Sequence, residues 1–348
     1  MKLAFGEAEQ KMIIWIGFFV FIFILLALDL GVFHKKPAEV KTEEALIWSG
    51  VWVVISLSFN VFVFAAFRNH WMAPGPDINP VMAGKDAFLK FFTGYILEKS
   101  LSVDNLFVMA MIFGYFEIPS LYQHKILFWG ILGALIFRGL MIFCGVELIE
   151  HFSWISYVFG GLLIISAVKM GSSGQDDINP HKNPALNFLK RTIHIVDDFS
   201  GGKFFVRHNR LWAITPIFVV LVVIETTDIM FAFDSIPAVL AVTTNGFIVF
   251  TSNVFAILGL RSLYFVLASV MDKFQYLKIS LVFVLSFVGL KMLLFQFIKL
   301  PILGSLAIIA GILATGVLAS VITGNRKPSK ILSAMDVVPA EKEDIPTL

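Results

Sequence analysis

Nine apolar runs constrain this chain more than any other feature. They cover Met12–Phe33, Ala45–Phe67, Ala87–Phe116, Ile126–Val146, Phe152–Met170, Leu211–Val242, Phe247–Val270, Ile279–Ile298 and Pro301–Ile322. Each is long enough to cross a bilayer, which takes about 20 residues as a helix. Backbone groups in lipid must bond within their own segment, so runs of this kind form helices. The 348 residues are 58% hydrophobic and 15% charged, whereas soluble domains sit nearer roughly 45–50% apolar and about 25% charged. Thirty-seven Phe against six Tyr points the same way, since Phe brings no polar atom into lipid. A soluble enzyme and a nucleic-acid partner are excluded, and a net charge of +2 is too small to attract a polyanion. One cysteine, Cys144, excludes a disulfide framework or thiolate cluster within one chain. The chain reads as an all-α membrane protein of about nine transmembrane helices.

The first run is too long for a cleaved signal peptide and stays as the first span. Lys and Arg in the loops set the orientation. With the N-terminus outside, the inner loops and tail hold sixteen basic residues and the outer segments five. The C-terminus is therefore expected on the cytoplasmic side. The expected division is 1–86 (two N-terminal spans), 87–170 (three spans), 171–210 (a cytoplasmic loop), 211–298 (three spans), 299–324 (the last span) and 325–348 (a flexible tail). The loop should begin with a turn-rich stretch to Pro184, carry a short helical patch around Ala185–Ile193, and turn at Ser200-Gly201-Gly202 into a short strand, Phe204–Arg207. His181 and His194 in this loop read as solvated rather than metal-binding.

Ionisable residues inside the apolar runs carry the chemistry. They are Asp29, Glu98, Lys99, Asp104, Arg138, Lys169, Glu225, Asp228, Asp234, Arg261 and Lys291. Each costs roughly 2.5–3.5 kcal/mol at mid-membrane on insertion scales, so each needs a partner or water. Their order repeats. Glu98 and Asp104 are six apart, as are Asp228 and Asp234, 130 positions on; Arg138 answers to Arg261 (123 on) and Lys169 to Lys291 (122 on). The repeat spans three helices, an odd number, so the second copy enters the membrane from the opposite side. An inverted repeat of three helices is the plan of many secondary transporters, whose sites lie near the midplane between the copies.

Six residues turn an ideal helix by about 240°, so the paired acids would not share a face without a break. Pro237 is the expected break in the second copy, and the Ser100, Ser102, Asn105 cluster the weaker one in the first. Glu225 and Asp228, at i and i+3, do share a face. The candidate metal ligands are Glu98, Asp104, Asp228, Asp234 and Glu225, supported by Asn105, Ser235, Thr226 and Thr227. Arg138, Arg261, Lys169 and Lys291 read as charge compensation, and Lys99 as a snorkelling side chain. Oxygen-only ligands suit Mn²⁺, Mg²⁺ or Ca²⁺, whereas zinc and copper prefer His and Cys. A divalent cation could displace Arg or Lys from shared carboxylates and so switch states. The partners expected are the bilayer and a divalent metal ion, with no permanently bound cofactor; a homo-oligomer is compatible with the sequence. No Gly-rich phosphate loop is present to support an ATP-driven pump.

The stretches from Glu98 (EKSLSVDNLFV) and Glu225 (ETTDIMFAFDSIPA) resemble the two signature stretches of the TerC/Alx family of integral membrane proteins. Phe204–Arg207, Ala213–Pro216, Thr251–Asn253 and Leu258–Arg261 look like further family blocks. The resemblance, covering roughly Ile14 to Ile322, implies Mn²⁺ efflux from the bacterial cytoplasm. It also implies that Glu98, Asp104, Asp228 and Asp234 handle the metal, with Glu225 a fifth candidate. A different class stays open, a non-transporting scaffold or insertion helper in metal or tellurite stress. The residues alone reach a hard divalent cation.

Overall fold

The computed structural model describes residues 2–33, 42–72, 80–152, 154–172, 186, 188–189, 193–196, 199–208, 211–270, 276–294 and 300–323. His181, the turn-rich stretch after Ser172, most of the 185–193 patch and the 325–348 tail lie outside them, while Gly171 and Ser172, expected in the loop, are the last residues of a helix.

The described chain is helical apart from one small sheet. In order come α1 (Lys2–Phe33), α2 (Thr42–Arg68), α3 (Pro80–Tyr115), α4 (Ser120–His151), α5 (Ile155–Ser172), β1 (His194–Ile195), β2 (Phe205–His208) and β3 (Leu211–Ile214). Then follow α6 (Pro216–Leu240), α7 (Gly246–Ile257), α8 (Leu260–Val270), α9 (Leu277–Leu293) and α10 (Ile302–Thr323). Six of these helices are long and apolar enough to cross a membrane, or seven if the bent pair α7–α8 is one span. This is fewer than the nine expected. The difference lies in α3, whose charges break the apolar pattern, and in α9, whose apolar part, Ile279–Leu293, is short for a span.

Hydroxyl groups inside these helices satisfy themselves locally. Ser56, Thr93, Ser100, Thr226, Thr227 and Thr251 each donate to the carbonyl four residues back, at 2.6–2.7 Å. That bond removes the cost of a bare hydroxyl in an apolar setting. Phenylalanine fills the space between α1, α2 and α7, where Phe18, Phe59, Phe247, Phe250 and Phe255 form one aromatic cluster. Helices α5 and α9 pack closely: a Cβ at Gly160 would lie 3.0 Å from the Gly289 carbonyl oxygen. The other main pairings are α2 with α3, α4 with α6 and α3 with α7.

Three expectations are corrected. The sixth run does not begin as helix at Leu211, because Leu211–Ile214 is β3, paired antiparallel with β2 and parallel with β1. The turn at Ser200–Gly202, with positive φ at Gly201 and Gly202, and the strand after it are as expected. Pro237 does not break its helix: α6 continues to Leu240, and the Pro237 carbonyl accepts the Ala241 N–H at 2.9 Å. The missing proline N–H costs only one bond. Nor does α3 break at its serines, since Ser100 is bonded to its own helix.

The break falls instead between α7 and α8, inside a run read as one helix. Leu258 leaves the helical conformation, Gly259 takes φ +81°, and the axis bends by 43°. The ring of Trp52 lies where a Cβ on Gly259 would go, 2.7 Å away. Only glycine fits both the left-handed backbone and that contact. Helix α7 starts cleanly, with Asn245 accepting from the Ile248 N–H at 3.2 Å, and is buried along nearly its whole length. It is a half-length helix enclosed by the bundle.

Candidate functional site

Near the middle of α3, α4 and α6, three side chains of opposite sign meet. Arg138 on α4 is 1% exposed, Glu98 on α3 is 0% exposed and Asp228 on α6 is 6% exposed. Arg138 Nε donates to Asp228 Oδ2 at 3.1 Å and its Nη2 to Asp228 Oδ1 at 2.8 Å, the two-pronged arrangement of a guanidinium on a carboxylate. Its Nη1 donates to Glu98 Oε1 and to Ser235 Oγ, the latter at 3.3 Å. With its carboxamide turned to satisfy both ends, Asn105 accepts from Arg138 Nη2 at 3.2 Å and donates to the Leu101 carbonyl at 3.2 Å. Arginine has five N–H donors. Here five oxygens from two other helices take them all.

The helices explain the convergence. Asp228 and Ser235 are seven residues apart on α6, two turns, so they project from one face toward α4. Glu98 and Asn105 repeat that spacing on α3. Asp228 and Asp234, six apart and expected to share a cavity, face different neighbours, because α6 does not break. Asp234 turns instead toward α5, where it accepts from Ser166 Oγ at 2.5 Å and feels the charge of Lys169 one turn on. The side chain of Asp104 lies outside the described residues.

Glu225 sits one turn from Asp228, close enough for the two charges to repel. Its carboxylate rests directly on α4 at Gly133, where even a Cβ would collide with it. Its Oε2 is buried with no hydrogen-bond partner, as is Oε2 of Glu98. Arg261, on α8 just past the break, is 2% exposed and has an interaction of its own. Lys291 is partly buried in the last turn of α9. Lys99 does not snorkel: its Nζ donates to the Ala256 carbonyl at 3.2 Å, at the C-terminal end of α7. An ammonium there meets the negative end of the helix dipole.

Among the described residues, no three acidic, His or Cys side chains gather as a metal-binding group. Three contributors went unforeseen in the sequence. Ser166 carries no local signal, Gly133 is one of many glycines, and only Gly259, two residues before a buried arginine, stood in view.

Comparison with known proteins agrees with this architecture. The model of the family described as "Integral membrane protein TerC family" matches residues 83–328. An uncharacterized membrane protein of Myxococcus xanthus, STKORF319, is 47% identical over 324 residues, 93% of this chain and 97% of its own. A proposed membrane-bound redox modulator of Escherichia coli (strain K12), Alx, is 44% identical over 302 residues, 86% and 92% of the two chains. An uncharacterized membrane protein of Rickettsia bellii is 37% identical over 311 residues, 89% and 98% of the two chains. No solved structure matches the chain.

Proposed function

Since the chain belongs to the TerC family of integral membrane proteins, we propose that it exports a hard divalent cation, Mn²⁺ before others, through the Glu98–Asp228 centre. One observation carries this reading. Five oxygens of carboxylate, carboxamide and hydroxyl type, from α3 and α6, already surround a cation in the middle of the helices, and that cation is Arg138. Such a shell, without sulfur or imidazole, is what Mn²⁺, Mg²⁺ and Ca²⁺ take. Asp104 on α3, and Asp234 and Glu225 on α6, are further acids of the same two helices. Mn²⁺ here is cargo, not a resident cofactor.

The helix pairings support an inverted repeat of α3–α4–α5 and α6–α7/α8–α9. Exchanging the two triplets maps the α4–α6 contact onto α3–α7 and leaves α5–α9 and α3–α6 in place. Glu98 and Asp228, matched in the sequence repeat, meet on one arginine, which supports a centre on the axis between the copies. Counting α3 and α9 as spans, and α7–α8 as one, restores nine crossings with the N-terminus outside and the small sheet in the cytoplasm. The relatives' redox name finds a single cysteine here, Cys144, so no thiol pair exists within one chain.

Purified protein in liposomes, offered Mn²⁺ with Mg²⁺, Ca²⁺ and Zn²⁺ as competitors, tests the reading. Uptake that Mg²⁺ and Ca²⁺ inhibit weakly and that Asp228→Asn abolishes is the expected result. Carboxylates bind metal only after shedding protons, so uptake should strengthen as pH rises, with protons moving the other way. If the purified protein moved no divalent cation, a scaffold role would take its place.

A further inference from the structure

Arg138 is too well coordinated for a bystander and too awkward for a ligand. It fills the oxygen shell that a divalent cation would need, so metal and guanidinium cannot occupy that shell together. If the metal enters, the arginine must leave, and a buried guanidinium needs somewhere to go. The structure offers a second seat. Glu225 lies on the same face of α6 as Asp228, about 4.5 Å along the axis for three residues of helix. Its carboxylate presses on α4, the helix that carries Arg138, and its Oε2 is buried without a partner. Nothing described competes for that oxygen.

We propose that Arg138 is a tethered counter-ion: it occupies the Glu98–Asp228 shell whenever no metal is bound, and the incoming divalent cation moves it onto Glu225. This rests on the transport reading above and adds to it the means by which the site empties. With all three carboxylates ionised, the one guanidinium leaves the set two charges negative, and one divalent cation brings it to zero. Without the arginine, the empty centre would expose two buried carboxylates to each other with no cation between them. The metal would bind more tightly, and the carrier could not return unloaded.

Exchange separates these steps. Mn²⁺-for-Mn²⁺ exchange needs only the loaded protein to cross, whereas net uptake needs the empty one to cross as well. In proteoliposomes with radioactive Mn²⁺ on both sides, Arg138→Met should keep exchange and lose net uptake by at least about tenfold, while Mn²⁺ binding to the purified variant tightens about tenfold. Arg138→Lys, which keeps a charge but not the two-pronged fit, should bind Mn²⁺ several-fold more tightly than wild type with net uptake slowed more than exchange. It keeps the test open if the methionine variant does not fold.

Glu225→Gln completes the cycle. In the wild-type background it removes the second seat and weakens Mn²⁺ binding; in the Arg138→Met background it should change binding little. Equal weakening in both backgrounds would make Glu225 a metal ligand and overturn its role as the seat. Exchange and net uptake falling together in folded Arg138→Lys, or Mn²⁺ affinity unchanged in it, would overturn the tethered counter-ion. Those outcomes leave wild-type transport intact. A wild type that neither binds nor moves Mn²⁺ would instead remove the transport reading and this inference together.

Discussion

Helix α4 and the α7–α8 pair carry the same sequence signal, an arginine followed by a small residue and leucine, yet only one of them breaks. Arg138-Gly139-Leu140 sits within a continuous helix, and Arg261-Ser262-Leu263 follows a bend. Stepping back from each arginine by two residues finds Ile136 in α4, 65% exposed, and Gly259 in the other, at φ +81° beneath Trp52. A matched pattern of charges therefore does not impose a matched backbone. The charges fix which residues are buried, and one glycine decides which of the two arms is hinged.

The sharpest way to test this division is at the arginine of the unbroken arm. Replacing Arg138 with Gln leaves Glu98 and Asp228 facing each other without a cation, a loss of about 3–5 kcal/mol for a broken buried pair. Thermal unfolding of purified Arg138→Gln in detergent should show a large drop in midpoint. Added Mn²⁺ should restore more of that loss than it adds to the wild type. A midpoint near that of the wild type would mean the two acids are not held by their charge.

Next in size is the hinge itself. Gly259→Val meets both a left-handed backbone and the Trp52 ring, together worth roughly 2–4 kcal/mol, and should reduce folded protein in the membrane severalfold. The mirror change, Ile136→Gly, should cost only about 1 kcal/mol, the usual price of glycine within a helix. It should not bend α4. Equal losses from the two changes, measured by accumulation and thermal midpoint, would erase the contrast between the arms.

What the sequence disclosed and what it hid follow from the same physics. Apolar runs, buried charges and their recurrence are local in the chain, so the all-helical class, Glu98, Asp228 and Arg138 could be read directly. Pro237 misled because a proline strains only the turn before it, by one lost N–H bond and its ring, and α6 keeps its helix through that turn to Leu240. Leu211–Ile214 passed for helix because a short apolar strand gives no period of its own; its pairing with Phe205–His208 settles it. The four side chains whose five oxygens hold Arg138 come from two other helices, and no spacing rule could have chosen Asp228 over Asp234. The difference between those two acids is depth of enclosure: Asp228 is 6% exposed and bonded to an arginine, while Asp234 is partly open and bonded to a serine.

That contrast predicts unequal consequences within a single helix. Asp228→Asn removes a charge the centre requires and should abolish Mn²⁺ export from cells challenged with manganese. Asp234→Asn should reduce export more mildly, by about tenfold, because it removes one flanking charge and leaves the shell whole. Cellular manganese, with protein abundance checked, reads both. Equal and total loss would place Asp234 in the shell and demand a rearrangement that brings it there.

The smallest effect belongs to the lysine at the hinge. Lys99 donates to the Ala256 carbonyl, one of the last carbonyls of α7, whose in-helix donor is lost to the bend. Arg138 answers to carboxylates; Lys99 answers to a backbone dipole, a weaker field. Its ammonium should therefore contribute at most about 1 kcal/mol, the usual worth of a cation at a helix C-terminus, with burial of the charge offsetting part of it. Lys99→Met keeps the apolar stem and removes only the charge, so the protein should still fold and still bind Mn²⁺ at the Glu98–Asp228 centre. A lower thermal midpoint with unchanged Mn²⁺ affinity is the expected pair of results. Altered affinity would mean that the end of α7 and the arginine centre are coupled, and that the hinged arm takes part in holding the ion.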